Sequence, residues 1–175
     1  RTGPPLVALD HKLAYGKADC VRVDHAALAQ AAVEQLLTGG RQRIALVDEP
    51  QRVSAARERR EGYTRALEAA QAAQSADWVV PVEDIHGLLA LQPAPDAILA
   101  GSLQIALDVL CALGETSLRP AEDVVVGSFE PLPGCLGAYA PVQVFAPPAG
   151  IGRAAAEMLL ERIARPRMLA RDVVL

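Results

Sequence analysis

Aromatic residues are scarce in this chain of 175 residues, at only 3% of the sequence. That scarcity leaves little material for the stacked aromatic surfaces by which proteins hold single-stranded nucleic acid. Positive charge is also in deficit, since 17 basic residues stand against 21 acidic ones and the net charge is −4. Long apolar runs are missing too, and none approaches the ~20 residues that a membrane-spanning helix requires. We therefore expect neither a membrane partner nor direct binding to nucleic acid phosphates.

Cysteine is equally sparse, and its spacing argues against metal binding. Cys20, Cys111 and Cys135 are far apart, and no CxxC pair or zinc-like histidine spacing accompanies them. We predict that they are buried small hydrophobic residues of a reducing compartment. The first residues, RTGPPLVALDH, lack the basic, apolar and small-residue order of a secretory signal. These features predict a cytoplasmic protein with no metal and no cofactor.

Short apolar runs alternate with longer amphipathic stretches along the chain. The runs are continuously apolar, as in strands that are buried on both faces of a parallel sheet. Helices with short connections between such strands predict a doubly wound α/β fold with right-handed crossovers. Strands are predicted at 6–9, 21–23, 44–47, 78–80, 97–100, 124–126 and 142–145, and helices at 25–37, 54–74, 102–113 and 150–164.

Polar residues follow several of the predicted strands, where ligands bind in doubly wound sheets. Short polar side chains in such positions suit the recognition of hydroxyl or phosphate groups. The alternative is that Asp, Ser and Gly end strands simply because they form turns. The candidates are Asp10, His11, Asp24, Asp48, Glu49, Gly101, Ser102, Ser128, Phe129 and Glu130.

A cluster of arginines opens the second predicted helix, at Arg52, Arg57, Arg59 and Arg60. Arginines beside a helix N-terminus could clamp an anion. Spacing alone favours the alternative of a solvated face with helical ion pairs such as Arg57–Glu61.

Enzyme motifs are absent from the sequence. It contains no Walker loop and no Gly-x-Ser-x-Gly elbow, and Gly150-Ile151-Gly152 lacks the third glycine of a dinucleotide-binding loop. We therefore expect no catalytic activity.

Six segments, in order along nearly the whole chain, together resemble the effector-binding domain of the LacI/GalR family of bacterial transcription regulators. PPLVALDH is similar to the family's strand that ends in a ligand-facing Asp, and RREGYTRALEAA to its Arg-x-x-Gly-aromatic helix. Within the family, ALDHKL, Ser102-Leu103 and VVVGSFEPLPGCLGAYAPV look like the catabolite repressor/activator, or fructose repressor, subgroup. The other segments are VRVDHAALAQAAVEQLLTGGRQRIALV, PAPDAILAGSLQIALDVLCAL, SLRPAEDVVVGSFE and GIGRAAAEMLLERI.

The resemblance implies a periplasmic-binding-protein-like type I fold whose two lobes bind a sugar or sugar phosphate between them. It implies that Asp10 accepts hydrogen bonds from sugar hydroxyls and that Arg59 holds a hydroxyl or phosphate. Phe129 stands where most members carry a sugar-binding Asp, so Glu130 is the candidate substitute. A phosphorylated sugar held by Arg59 with Arg52 or Arg57 fits these residues slightly better. The expected ligand-binding residues are Asp10, His11, Ser54, Arg59, Ser102, Phe129 and Glu130.

The same resemblance implies an organisation in four stretches. Residues 1–23 would belong to an incomplete first lobe and 24–130 to a nearly complete second lobe, with 131–166 returning to the first and 167–175 to the second. The DNA-binding headpiece is not in this sequence, so operator DNA would be reached only through that missing part. We expect a homodimer, with the helices near 105–113 and 154–160 as candidate interfaces, unless both merely pack on the sheet.

Two other function classes remain open. One is a solute-binding protein of a sugar uptake system, which shares the two-lobed fold but is disfavoured by the unpaired cysteines. The other is a small α/β enzyme, for which the sequence offers no nucleophile and base.

Overall fold

A five-stranded parallel sheet lies at the centre of residues His25–Phe145, which form one of two units in the computed structural model. The structure describes residues 4–10, 18–50 and 53–175. In sheet order the strands are β4 (Val79–Val80), β3 (Ile44–Val47), β5 (Ala97–Ala100), β6 (Val125–Ser128) and β7 (Val142–Gln143). The three central strands, β3, β5 and β6, are buried along their full length, which explains why all their residues except Ser128 are apolar or glycine.

Helices cover both faces of this sheet because successive strand residues point to opposite sides. Ile44 and Leu46 pack with helices α1 (His25–Thr38) and α2 (Ser54–Ala69). Ala45 and Val47 pack on the other face with α3 (Ile85–Leu89) and α4 (Leu103–Gly114). The expected doubly wound parallel α/β architecture is confirmed. The buried residues of α4, such as Ile105, Val109 and Leu113, pack on the sheet, and a role of this helix in a dimer interface stays a prediction.

Helices α1 and α2 approach each other closely at one glycine. A Cβ atom built on Gly62 would lie 2.0 Å from the carbonyl oxygen of Ala26, which is inside the contact distance of any pair of heavy atoms. One residue further on, the buried Tyr63 hydroxyl donates to the carbonyl oxygen of Ile44 at 2.7 Å. This spacing sets α2 against both α1 and β3.

The second unit comprises the described parts of Arg1–Asp24 together with Ala146–Leu175. Its parallel sheet has the order β1 (Val7–Leu9), β2 (Asp19–Arg22) and β8 (Asp172–Val174), and helix α5 (Pro148–Ala164) packs on it. We call this unit 1 and His25–Phe145 unit 2. Among the described residues, no helix is long and apolar enough to cross a membrane.

The unit boundaries differ from the expected lobes at three places, the smallest of which is Asp24, a member of unit 1. Residues 131–145 belong to unit 2, because β7 pairs with β6, and residues 167–175 belong to unit 1, because β8 pairs with β2. The strand β8 and the short helix α3 were not predicted. The helix expected to reach residue 74 ends at Ala69, and Gln71 takes a left-handed backbone conformation with a φ of 52°.

The prediction that all three cysteines are buried is wrong for two of them. Cys20 is buried in β2, whereas Cys111 and Cys135 are exposed. Cys111 lies on the outer side of α4, where helical periodicity turns it away from the sheet.

An ion pair inside unit 1 joins β2 to α5. The Asp19 carboxylate is fully buried, and Arg162 donates to both of its oxygens at 2.7 and 3.0 Å. The backbone amide of Arg171 adds a third hydrogen bond of 2.9 Å. Hydrogen bonds from Arg162 above all lower the pKa of Asp19 to about 2. The carboxylate therefore stabilises unit 1 only while it is ionised.

This arrangement predicts a loss of unit 1 stability in acid. Because the folded pKa of Asp19 lies below the ordinary value of 3.8, its stabilisation is complete above about pH 4 and is lost as the pH falls towards 2. We expect this loss to reach about 2 kcal/mol. Hydrogen exchange at the Cys20 amide, which bonds to the Arg171 carbonyl, measures it within unit 1.

The control for this prediction is Asp172→Asn, which removes a carboxylate of the same sheet that pairs with Arg22 at the surface. We expect Asp172→Asn to retain the acid-dependent loss and Asp19→Asn to abolish it. Equal acid profiles for the wild-type protein and Asp19→Asn would contradict the assignment.

Candidate functional site

The site is centred on Arg59, which α2 buries beside the carboxyl end of β3. The Arg59 side chain is 6% exposed and forms a bidentate ion pair with Asp48, the residue that follows β3. Its Nε donates to one carboxylate oxygen at 2.8 Å and its Nη2 to the other at 2.7 Å. Nη2 also lies 3.3 Å from a carboxylate oxygen of Glu49. The guanidinium is therefore fixed in position by unit 2 itself.

Asp48 is held from two further directions. The backbone amide of Glu49 donates to its Oδ1 at 2.8 Å. On the other side, a Cβ atom built on Gly101 would lie 2.0 Å from the same oxygen, so the end of β5 meets this carboxylate closely only because residue 101 is glycine. Asp48 thus sits in a slot made by its own loop, Arg59 and the end of β5.

The electrostatics of this cluster keep Arg59 charged. Burial by itself lowers the pKa of Arg59, but the hydrogen bonds and charge of Asp48, and then the charge of Glu49, outweigh it and hold the pKa above its ordinary value. The Phe129 ring adds a cation–π contact, with the guanidinium carbon 5.6 Å from the ring centroid. Phe129 is buried, so it forms an apolar wall beside the charged pair.

A second cluster caps the start of α4. The Ser102 hydroxyl accepts a hydrogen bond from the Ile105 amide at 3.4 Å, and a Glu130 carboxylate oxygen accepts one from the Leu103 amide at 2.8 Å. The Glu130 amide in turn donates to the Ser128 hydroxyl at 3.1 Å. The carboxylate of Glu130 therefore occupies one amide donor at a helix N-terminus, which is where an anion would otherwise bind.

A cavity of about 170 Å³ opens at the carboxyl ends of β3 and β4. Polar groups of Asp48, Glu49 and Arg60 share this cavity with apolar side chains. It is lined by Leu46, Asp48, Glu49, Pro50, Ala56, Arg60, Val79, Val80 and Pro81. Among the described residues, no group of three or more His, Cys, Asp or Glu is placed to hold a metal ion.

The structure unites some of the predicted ligand residues and not others. Arg59 and Phe129 are in contact, and Ser102 and Glu130 meet at the start of α4. Ser54 is the half-buried first residue of α2 and has no described bond to this cluster. His11 and Arg52 lie outside the described residues.

Asp10 lies in unit 1, at the end of β1. It adopts a left-handed backbone conformation with a φ of 53°, and its Oδ1 accepts a hydrogen bond from the Val23 amide at 3.2 Å. A non-glycine residue in this conformation is uncommon, although Asp adopts it more readily than most residues. Asp10 stays a predicted ligand residue, as the resemblance implies.

The pairing of Asp48 and Glu49 with Arg59 was missed from the sequence. Both acidic residues were noted as polar strand ends, and Arg59 was assigned to a ligand. A detectable signal was present, because an acidic residue that ends a strand faces the first turns of the next helix in a βα unit. A buried arginine in that helix needs such a partner.

Residues 33–175 match the family described as the periplasmic binding protein-like domain. The chain belongs to this family. One relative of this periplasmic-binding-protein-like chain is the ribose operon repressor of Haemophilus influenzae. The two sequences are 27% identical, and their alignment covers 98% of this chain and 54% of the repressor. The chain thus spans about half the length of that relative. The relative is named as a repressor and not as an enzyme.

Two solved structures extend the comparison to LacI-type regulators. A protein assigned to the LacI family from Sanguibacter keddieii has a TM-score of 0.82 and 32% identity, covering 97% of this chain and 67% of its own. The transcriptional regulator CelR, solved with cellobiose, has a TM-score of 0.83 and 27% identity, covering 97% and 55%. The resemblance to LacI effector-binding domains is confirmed. The catabolite repressor/activator subgroup stays a prediction.

Proposed function

We propose that this chain is the effector-sensing part of a LacI-type transcription regulator and that its effector is a sugar. The observation that carries the proposal is the fixed polar cluster of Arg59, Asp48 and Glu49 beside Phe129, at the sheet edge where doubly wound domains bind ligands. An apolar ring next to preset donors and acceptors suits a sugar, which presents both C–H faces and hydroxyl groups. The ribose operon repressor and the CelR–cellobiose complex among the similar proteins support the same ligand class.

The proposed contacts follow from the hydrogen-bond donors and acceptors of the described residues. In unit 2, Arg59 donates to sugar oxygens, Glu49 and Glu130 accept from hydroxyls, and Phe129 packs on the sugar. Asp10, in unit 1, stays proposed from the resemblance as an acceptor for a sugar hydroxyl. Ser54, Ser102 and His11 stay proposed from the resemblance alone.

The proposed mechanism of regulation is a population shift. A sugar changes the activity of the regulator only if it binds one conformation more tightly than another. We assign operator binding to a different part of the regulator, because this chain carries a net charge of −4. We also propose that the regulator is a cytoplasmic homodimer without catalytic activity. The alternative of a sugar uptake protein is not favoured, because the similar proteins are named as regulators.

The proposal predicts that sugars raise the melting temperature of the protein. A sugar at 100 times its Kd stabilises the folded state by about 2.7 kcal/mol. For a chain of this size that corresponds to a rise of roughly 5–10 °C. The measurement is a thermal-shift screen of pentoses, hexoses, disaccharides and their phosphates, begun with ribose and cellobiose.

Sorbitol at the same concentrations is the control for nonspecific stabilisation by polyols. Hits are then titrated by calorimetry to show saturation at one site. If no sugar or sugar phosphate in the screen raises the melting temperature, the proposed ligand class is wrong.

A further inference from the structure

Most of the hydrogen-bond donors of Arg59 already bind other residues of the protein. A guanidinium has five N–H groups. Asp48 takes one from Nε and one from Nη2, and Glu49 lies within reach of the second hydrogen on Nη2. At most the two N–H groups of Nη1 are left for a ligand. Arg59 therefore behaves as one half of an ion pair and is not a free cation.

Among the described residues that form this pair, line the neighbouring cavity or cap α4, acidic groups outnumber basic ones. Asp48, Glu49 and Glu130 carry three negative charges, and Arg59 and the exposed Arg60 of the neighbouring cavity carry two positive ones. The Glu130 carboxylate also occupies the Leu103 amide at the start of α4. An incoming phosphate would meet an excess of negative charge and a helix N-terminus that is already capped.

Arg57 does not supply the missing positive charge. Its side chain is 57% exposed and lies 4.0 Å from Glu61 across one helical turn, as the solvated alternative predicted. The expectation that Arg57 helps Arg59 to bind a sugar phosphate therefore has no support in the geometry.

We propose that Asp48 is a specificity-determining residue that neutralises Arg59 and so selects uncharged sugars against phosphorylated ones. Asp48 acts through Arg59 and is a positioning residue, since its own carboxylate is 7% exposed. The pair presents Nη1 as a donor to sugar oxygens, while the carboxylate of Glu49, which is 41% exposed, accepts from hydroxyls. This alternation of donor and acceptor suits a polyol, and it repels a dianion. The inference rests on the proposed sugar-binding function and names the ligand class within it.

The test compares matched pairs of probes on the purified protein: ribose with ribose 5-phosphate, and glucose with glucose 6-phosphate. Calorimetry at constant ionic strength gives the ratio of the Kd for each phosphate to the Kd for its sugar. We expect the wild-type protein to bind its preferred sugar at least 100-fold more tightly than the phosphate of that sugar. In Asp48→Asn, which removes the charge and keeps the shape, the ratio should fall at least tenfold.

A change in this ratio reports selectivity and not general damage to the site, because a misfolded site would weaken the binding of both the sugar and its phosphate. Glu49→Gln gives a second variant at an exposed position and should lower the ratio in the same direction, even if Asp48→Asn fails to fold. Glu61→Gln is the matched control, since it removes an acidic charge from the exposed face of α2, the helix that carries Arg59, and should leave the ratio unchanged.

The outcomes distinguish this inference from the function on which it rests. Equal or tighter binding of the phosphate by the wild-type protein would overturn the role of Asp48 and leave sugar sensing intact. An unchanged ratio in a folded Asp48→Asn, or in Glu49→Gln if the first variant is unfolded, would also overturn it. Binding of neither probe class by the wild-type protein would reject the proposed function and this inference together.

Discussion

Arg59→Ala is expected to lower the free energy of unfolding by about 3–5 kcal/mol. The substitution leaves the Asp48 carboxylate, which is 7% exposed, without the two hydrogen bonds that compensate its burial. It also removes the cation over the Phe129 ring. Denaturant unfolding followed by Trp78 fluorescence measures the loss, since this single tryptophan is buried in unit 2. Sugar affinity should fall about 10- to 100-fold through the lost charged hydrogen bonds.

Arg57→Ala is the control, because it removes an exposed arginine that lies two positions earlier on the same helix. Its effect should stay within about 0.5 kcal/mol. The double variant Asp48→Leu with Arg59→Met should recover most of the stability, since replacing both members of a buried pair is often neutral. It should not recover sugar binding. A loss below about 1 kcal/mol in Arg59→Ala would show that the ion pair does not hold unit 2 together.

Gly62→Ala is expected to destabilise unit 2 by about 3 kcal/mol, although alanine is the better helix former. The added methyl group would lie 2.0 Å from the Ala26 carbonyl oxygen, and that oxygen belongs to the backbone of α1 and cannot rotate away. Helices α1 and α2 must therefore separate, which also pulls on the Tyr63 hydrogen bond to β3. The same unfolding measurement by Trp78 fluorescence applies.

Gly87→Ala provides the matched control in α3. A Cβ atom at Gly87 meets no other atom within 4 Å, so the substitution should be neutral or stabilise the protein by up to about 1 kcal/mol. Equal effects of Gly62→Ala and Gly87→Ala would mean that the contact between α1 and α2 is not tight in solution.

The sequence predicted the strands of the central sheet well, because burial on both faces leaves a continuously apolar run such as Ile44–Val47. It could not predict β8, which has three residues, is partly exposed, and is recognisable only through its pairing with β2 about 150 positions earlier. The same limit explains the misplaced boundary at residues 131–145. Nothing local shows that β7 pairs with β6.

The Arg-x-x-Gly-aromatic pattern singled out Arg59 in the sequence. Its buried ion pair could not be predicted, because it depends on Asp48, which precedes it by 11 residues and lies across a loop. Ser102 and Glu130 were expected to face a ligand. In the structure they cap α4, because a helix that starts directly after a strand leaves amide groups that need acceptors.

The chain path of the two units has a consequence for folding order. Unit 2 is one continuous stretch, whereas unit 1 needs β8 to pair with β2, which lies about 150 positions earlier in the chain. Domains fold as units while the chain emerges, and closing a loop of this length is slow and entropically costly. We infer that unit 2 forms its core first and that β2 stays unpaired on its β8 side until residues Asp172–Val174 have been synthesised. During that interval, the open edge of β2 is exposed to aggregation and to chaperones.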